Sequence, residues 1–315
     1  INLAREVVIR TVLDESVTVA HSVTQACVTS VQALTTAIQA IAYGEHDAMI
    51  TGGADSMDDL PLGVSRKLTV ALMGMQKAKT AMDRVRLLST VSPGDLVPPT
   101  PGYSMEPSTG LTMGQHCEMM VKDWGISRAW QDEIAHQSHS KAAKAWAEGF
   151  YDDLVMPVVA PPYKEAFRQD NIVRNDSKLE DYAKLRPVFD KKHGTITAAN
   201  ASPLTDGAAA ILVMRESKAR ALGLEPMGYL RSWAYTAVDP MWQLLIAPAF
   251  GIPKALAKAG LTLKDIDLVE MHEAFAAQVA CTLEALRSLE TELLKRSNEI
   301  RFGDDLTLMA VRIEA

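Results

Sequence analysis

Three stretches of this chain carry residues that could do chemistry or shape a site, the first of them a cysteine that could act as a nucleophile. Cys27 stands in Ser22-Val23-Thr24-Gln25-Ala26-Cys27-Val28-Thr29-Ser30, among small and polar neighbours. From Val28 the apolar residues fall at Val31, Leu34, Ala37, Ile38 and Ile41, the period of one helix face, and Gly44 can end that helix. The spacing therefore puts the cysteine at a helix N-terminus. Unpaired N–H groups and the positive end of the dipole favour the thiolate there, the nucleophilic form of the side chain. Taken alone, Cys27 suits a small, buried, inert side chain better than a nucleophile. His272 and Glu273 follow the strand-like run 267–271 and precede a helix, the kind of junction where open α/β sheets bind ligands. A lone histidine there can be structural, or it can aim a donor at a carbonyl oxygen. The third stretch, Asn200 to Asp206, is turn chemistry ahead of Gly207 and the apolar run Ala208–Met214.

The elements that must position these residues alternate along the chain. Residues 3–13 suit a helix, and 17–23 an extended approach to the cysteine. A helix over 28–43 is followed by the short strand Ala48–Thr51, with Gly52-Gly53 as a sharp turn. Ala208–Met214 reads as a buried strand, Ser217 as the cap of the next helix, 229–237 as strand-like, and 252–259 as a helix ended by Gly260. This alternation points to an α/β core. Between the halves the character changes. Lys77, Lys79, Arg84 and Arg86 precede Pro93, Pro98, Pro99 and Pro101, and a segment poor in strand signals then runs to about residue 186, with an amphipathic helix near 128–148. Such an excursion suits a lid. His136, His139 and His193 lie among polar neighbours and read as solvated, with no metal-ligand spacing around them.

Composition sets the class. A chain of 315 residues, 48% hydrophobic and 23% charged, can bury a substantial core. Net charge −7 and a pI near 5.6 leave no basic stripe for nucleic acid. Three cysteines without CxxC spacing suit a reducing compartment. No apolar run reaches the ~18 residues of a membrane span. The chain opens without a leader pattern, on what reads as a helix already under way, and so as an internal fragment.

Four blocks, in order, resemble those that mark thiolases: Gln25-Ala26-Cys27-Val28-Thr29-Ser30, Gly52-Gly53-Ala54-Asp55-Ser56, Ala199-Asn200-Ala201-Ser202-Pro203-Leu204-Thr205-Asp206-Gly207, and Val269-Glu270-Met271-His272-Glu273-Ala274-Phe275-Ala276. The likeness runs from residue 1 to about 286. His-Glu-Ala-Phe-Ala in place of Asn-Glu-Ala-Phe-Ala is similar to the thiolase subunit of fatty-acid oxidation complexes. The resemblance implies a layered α/β core with an inserted lid, incomplete at both ends. It divides the chain into an N-terminal half over 1–98, a loop domain over 99–194, a return to the core over 195–287 and an unassigned tail over 288–315. It also implies acetyl-CoA C-acyltransferase activity, with Cys27 as nucleophile and His272 as electrophilic donor. Met113 would wall the acyl pocket, although a flexible core filler explains it as well. Ser232 and Ala234 would lie beside the pantetheine arm, with Ala274 and Phe275 next to the substrate. No bound cofactor or metal is implied. Coenzyme A and acyl-CoA are substrates, and the implied partners are a second copy and a hydratase/dehydrogenase subunit. The compartment would be the bacterial cytoplasm, or mitochondria in a eukaryote.

The family's Gly-His-Pro and Cys-x-Gly-Gly blocks do not occur in these 315 residues. The expectation is a slow or impaired enzyme, or else a catalytically silent acyl-CoA binder of the same fold. The end of the chain, Phe302-Gly303-Asp304-Asp305-Leu306-Thr307, resembles the last strand of metal-dependent stress-response phosphatases. Its aspartates read as a polar turn.

Overall fold

The computed structural model describes residues 2–57, 64–96, 105–159 and 163–288. The end of the chain, with Asp304 and Asp305, lies outside them. Helix α1 spans Leu3–Ile9, shorter than the periodicity suggests. Its N-cap Asn2 accepts from the Arg5 N–H at 3.2 Å and from Ser22 Oγ at 3.1 Å, so the cap also ties down the approach to the cysteine. Residues 18–24 carry no strand. Helix α2 spans Thr29–Tyr43 and ends on Gly44 at φ 93°, a left-handed conformation that glycine adopts without a Cβ penalty.

Helix α2 packs on a two-stranded antiparallel ribbon. Strand β1 spans Ala48–Asp55 and β2 spans Gly207–Met214, in register from Ala48 opposite Met214 to Asp55 opposite Gly207. Gly52 and Gly53 therefore lie inside β1, not in a turn. A Cβ at Gly52 would stand 2.5 Å from the Ala209 carbonyl oxygen, so glycine is required there for close approach of the facing strand. The run 208–214 is a strand, as its composition suggests, but not a buried one. Residues 207–212 are exposed, because among the described residues no further strand covers them. Arg215 fastens the ribbon to α2, donating from Nη2 to the Ile41 carbonyl at 2.7 Å and pairing with Asp47 at 3.3 Å.

Helices α3 (Arg66–Lys77) and α4 (Ala81–Leu88) form a hairpin, with Thr80 and Asp83 closing a capping box at the start of α4.

The main core is helical. It gathers α5 (Met113–Trp124), α6 (Arg128–Ala147), α10 (Pro248–Ala259), α11 (Ala276–Ser288) and a short turn at Leu244–Ile246. The short helices α7 (Leu179–Tyr182), α8 (Glu216–Ala221) and α9 (Pro240–Gln243) fill the connections. Helix α11 is central because Ala276, Ala277, Ala280 and Ala285 are buried, and their small side chains let α5 and α6 approach closely. The excursion over 99–194 thus supplies two core helices. The buried face of α6 is largely polar, with Gln131 and Asp132 beside Ala135.

Other expectations need correction. Residues 229–237 and 267–271 form no strand, since a strand persists only where a neighbour completes its ladder and none is present among the described residues. Arg215, not Ser217, is the N-cap of α8, without a side-chain capping bond.

One contact of α5 is unusually tight. A Cβ built on Gly114 would meet three ring carbons of Phe189 at 2.3–2.4 Å, and Phe189 is held edge-on to Phe275 at 5.9 Å between centroids. Gly114→Ala is expected to cost about 1–3 kcal/mol through overpacking. Thermal melting followed by circular dichroism measures this, and an unchanged midpoint would show that the ring moves aside freely.

Candidate active site

The cysteine stands at a sharp bend. Ala26 has φ 44°, a left-handed conformation that costs an alanine about 1–2 kcal/mol. Thr29 holds the bend: its Oγ1 donates to the Ala26 carbonyl at 2.7 Å and accepts from the Gln25 N–H at 2.8 Å. Val28 is the N-cap of α2, so Cys27 precedes the cap by one residue, close to where the spacing places it. Cys27 is exposed, whereas Cys117 and Cys281 are buried in the helical core. Burial pushes the Cys117 thiol well above its ordinary range and the Cys281 thiol to about 12. The exposed thiol is the one open to electrophiles.

The second group of residues is assembled by backbone pairing. Ser202 N–H donates to the Ala274 carbonyl at 2.9 Å, Ala276 N–H donates to the Asn200 carbonyl at 3.0 Å, and Ala201 bridges Phe275 in antiparallel fashion. The segments 200–202 and 274–276 are more than 70 residues apart in the chain and become one joint, with His272 two residues before it. The imidazole is exposed. Glu273, beside it, is near enough to His139 of α6 for its charge to act on that ring. Burial first and Arg174 second hold His139 below its ordinary pKa, against the opposing pull of Glu273. His136 and His139 are half-buried and hydrogen-bonded, not solvated: His136 Nδ1 meets Ser177 Oγ at 2.9 Å, and His139 Nδ1 accepts from the Arg174 N–H at 3.3 Å. His193 is exposed. Among the described residues no cluster of His, Cys, Asp or Glu is arranged to hold a metal.

The comparisons decide the family. The N-terminal thiolase domain matches residues 1–217 and the C-terminal thiolase domain matches 224–313. The chain belongs to the thiolase family. A 3-ketoacyl-CoA thiolase of Citrobacter koseri is 51% identical over 287 residues, covering 91% of this chain and 65% of the relative. One from Escherichia coli is 48% identical over 306 residues, covering 96% and 70%. Among solved structures, an acetyl-CoA acetyltransferase of Bacillus anthracis superposes with TM-score 0.78 at 29% identity, over 91% of this chain and 68% of that one. This thiolase chain thus spans about two thirds of the length of the curated relatives it matches.

Within the thiolase frame the residues singled out in the sequence fall into three places. Met113, Ala274 and Phe275 share the helical core cluster with Phe189 and Cys117. Ser232 and Ala234 lie on the segment packed against α10, where Ser232 Oγ donates to the Ala255 carbonyl at 2.7 Å and Ala234 is buried. Cys27 and His272 are exposed, with no hydrogen bond or ion pair joining them among the described residues, and His272 lies two residues before the pairing of 274–276. The α2 unit meets the rest through Thr35 Oγ1 and the Tyr235 hydroxyl at 2.5 Å.

Sequence reasoning missed two residues. Glu118 and Asp132 are buried carboxylates, 3% and 4% exposed, and both grip the segment leading to Asn200. Glu118 accepts from the Thr195 N–H at 2.9 Å and the Ile196 N–H at 2.8 Å, and Asp132 accepts from Asn200 Nδ2 at 2.9 Å. The available signal was an acidic residue at a position that the helical period assigns to the core, as in Cys117-Glu118-Met119-Met120-Val121.

Proposed function

We propose that the chain is a 3-ketoacyl-CoA thiolase, an acetyl-CoA C-acyltransferase of fatty-acid β-oxidation. The observation that carries this reading is an exposed thiol on a locked bend before α2, together with a backbone joint that carries His272 in the family's own blocks. Cys27 attacks the 3-keto carbonyl of the acyl-CoA and the C2–C3 bond breaks. The electron pair leaves on the acetyl-CoA enolate, which is protonated to acetyl-CoA. The acyl group remains as a thioester on Cys27 until a second CoA thiolate takes it. His272 donates to the thioester carbonyl oxygen as charge develops on it. Met113, Ala274 and Phe275 line the acyl end, and Ser232 and Ala234 flank the pantetheine arm. The reaction needs CoA and acyl-CoA as substrates and no bound cofactor. The reading extends to a homodimer, to a hydratase/dehydrogenase partner, and to the bacterial cytoplasm or mitochondria. The divisions at 98, 194 and 287 remain its domain boundaries.

A silent acyl-CoA binder is the second reading, favoured by the absence of a hydrogen-bonded base on Cys27 among the described residues. Iodoacetamide at neutral pH separates the two readings. Cys27 is expected to label at least tenfold faster than Cys117 or Cys281, whose thiols are buried and pushed up. Acyl-CoA is expected to block that labelling and to add an acyl mass to the chain. Protection without acyl mass supports the binder. Equal labelling of all three cysteines removes the nucleophile from the account.

A further inference from the structure

Helices α5 and α6 each contribute a buried carboxylate to the same six-residue segment, 195–200, and one of these carboxylates reaches the joint below His272. Asp132, on α6, accepts from Asn200 Nδ2 at 2.9 Å and from Arg128 Nε at 2.7 and 2.8 Å. Arg128 in turn donates to the Tyr182 and Leu185 carbonyls, anchoring that carboxylate to the lid. Asn200 is 2% exposed and fully committed. Its Oδ1 accepts from the Thr197 N–H at 2.7 Å, and its Nδ2 reaches both Asp132 and the Thr195 carbonyl. Its own carbonyl is the acceptor for the Ala276 N–H. The chain of contacts thus runs from the lid helix through one side chain into the backbone pairing that sets the 272–276 turn.

We infer that Asp132 is a positioning residue for the thioester site, holding Asn200 so that the 200–202 and 274–276 segments stay paired and His272 keeps its place. This rests on the thiolase reading for its chemical consequence. The mechanical part stands on the geometry alone. A hydrogen bond to a buried carboxylate is strong, and removing the carboxylate leaves Asn200 Nδ2 partly unsatisfied and free to turn. The joint then opens more often, with Cys27 untouched. The lid would thereby set the electrophilic group through a single buried contact, without touching the nucleophile.

The test uses the full 315-residue chain with three replacements: Asp132→Ala, the conservative Asp132→Asn, and the double change Arg128→Met with Asp132→Leu. The double change substitutes apolar volume for a buried ion pair, an exchange that often preserves stability, so it serves if the alanine variant does not fold. Amide hydrogen exchange is read at Ser202 and Ala276, and the environment of His272 from its imidazole NMR signals. Acyl-enzyme formation from 3-keto-octanoyl-CoA is followed by intact mass, with the limiting rate and the half-saturating concentration determined separately. In the alanine and double variants, exchange at both amides should rise about tenfold and the His272 signals should shift. The limiting rate should fall about tenfold with half-saturation little changed. Asp132→Asn, which still offers an oxygen to Asn200, should recover most of both. Unchanged exchange at Ser202 and Ala276 overturns the inference. Faster exchange with an unchanged limiting rate also overturns it, leaving Asp132 as scaffold only. If the parent chain itself never acylates Cys27, the thiolase reading falls, and the exchange and NMR results still decide whether Asp132 holds the turn.

Discussion

Cys27→Ala should abolish the acyl adduct, with acyl transfer to the chain reduced on the order of a thousandfold or more, because no other accessible thiol can take the acyl group. Cys117 and Cys281 lie in the helical core with their thiols pushed up by burial, so neither substitutes for the lost nucleophile. Since the Cys27 side chain is exposed, its removal should change stability by no more than about 0.5 kcal/mol. The effect is then purely chemical. Intact-mass analysis after mixing with a 3-ketoacyl-CoA measures the adduct, and a melt on the same sample checks the fold. Acyl mass that persists on the alanine variant would place the nucleophile elsewhere in the chain.

Glu118→Ala should be the most destabilising single change among these residues, at about 3 kcal/mol or more. The carboxylate accepts from two consecutive backbone N–H groups, those of Thr195 and Ile196, and Ile196 is fully buried. Removing it strands both donors in a space that the alanine methyl cannot fill, and adds a cavity to the loss. Gly194 shows how closely the segment is fitted, because a Cβ there would stand 2.5 Å from Glu118 Oε1. Glu118→Gln keeps an oxygen in place and should cost less than half as much. Denaturant titration gives both values. A Glu118→Ala midpoint indistinguishable from that of the parent would mean that water replaces the carboxylate without penalty.

The legible parts of this chain were those written in local chemistry. The 3.6-residue period and the terminal glycine marked α2, whose observed end at Gly44 follows from a glycine cap and whose start is held by Thr29 on the bend before it, neither needing a distant partner. The stop of α10 at Gly260 was equally legible, although the helix begins at Pro248, four residues before the start that the sequence suggests. Strand assignments fared less well, because a strand is stabilised by a neighbour that the sequence does not name. Gly52-Gly53 has the composition of a turn, but facing Ala209 and Ala210 it becomes part of a close-packed ribbon. Residues 267–271 have the composition of a strand and, without a partner among the described residues, run as irregular chain.

By itself, the amino-acid sequence determined the family and the blocks that mark it, and it singled out Cys27 as the candidate nucleophile, since these depend on residue type and order. What only the tertiary structure decided was which of those blocks meet. Residues 200–202 lock against 274–276 and not against the cysteine turn, and the buried carboxylates of Glu118 and Asp132 serve backbone N–H groups and Asn200. The physical reason is range: helix caps and periodicity act within a few residues. A buried carboxylate, by contrast, must find its donors wherever folding brings them, here 68 and 78 positions away.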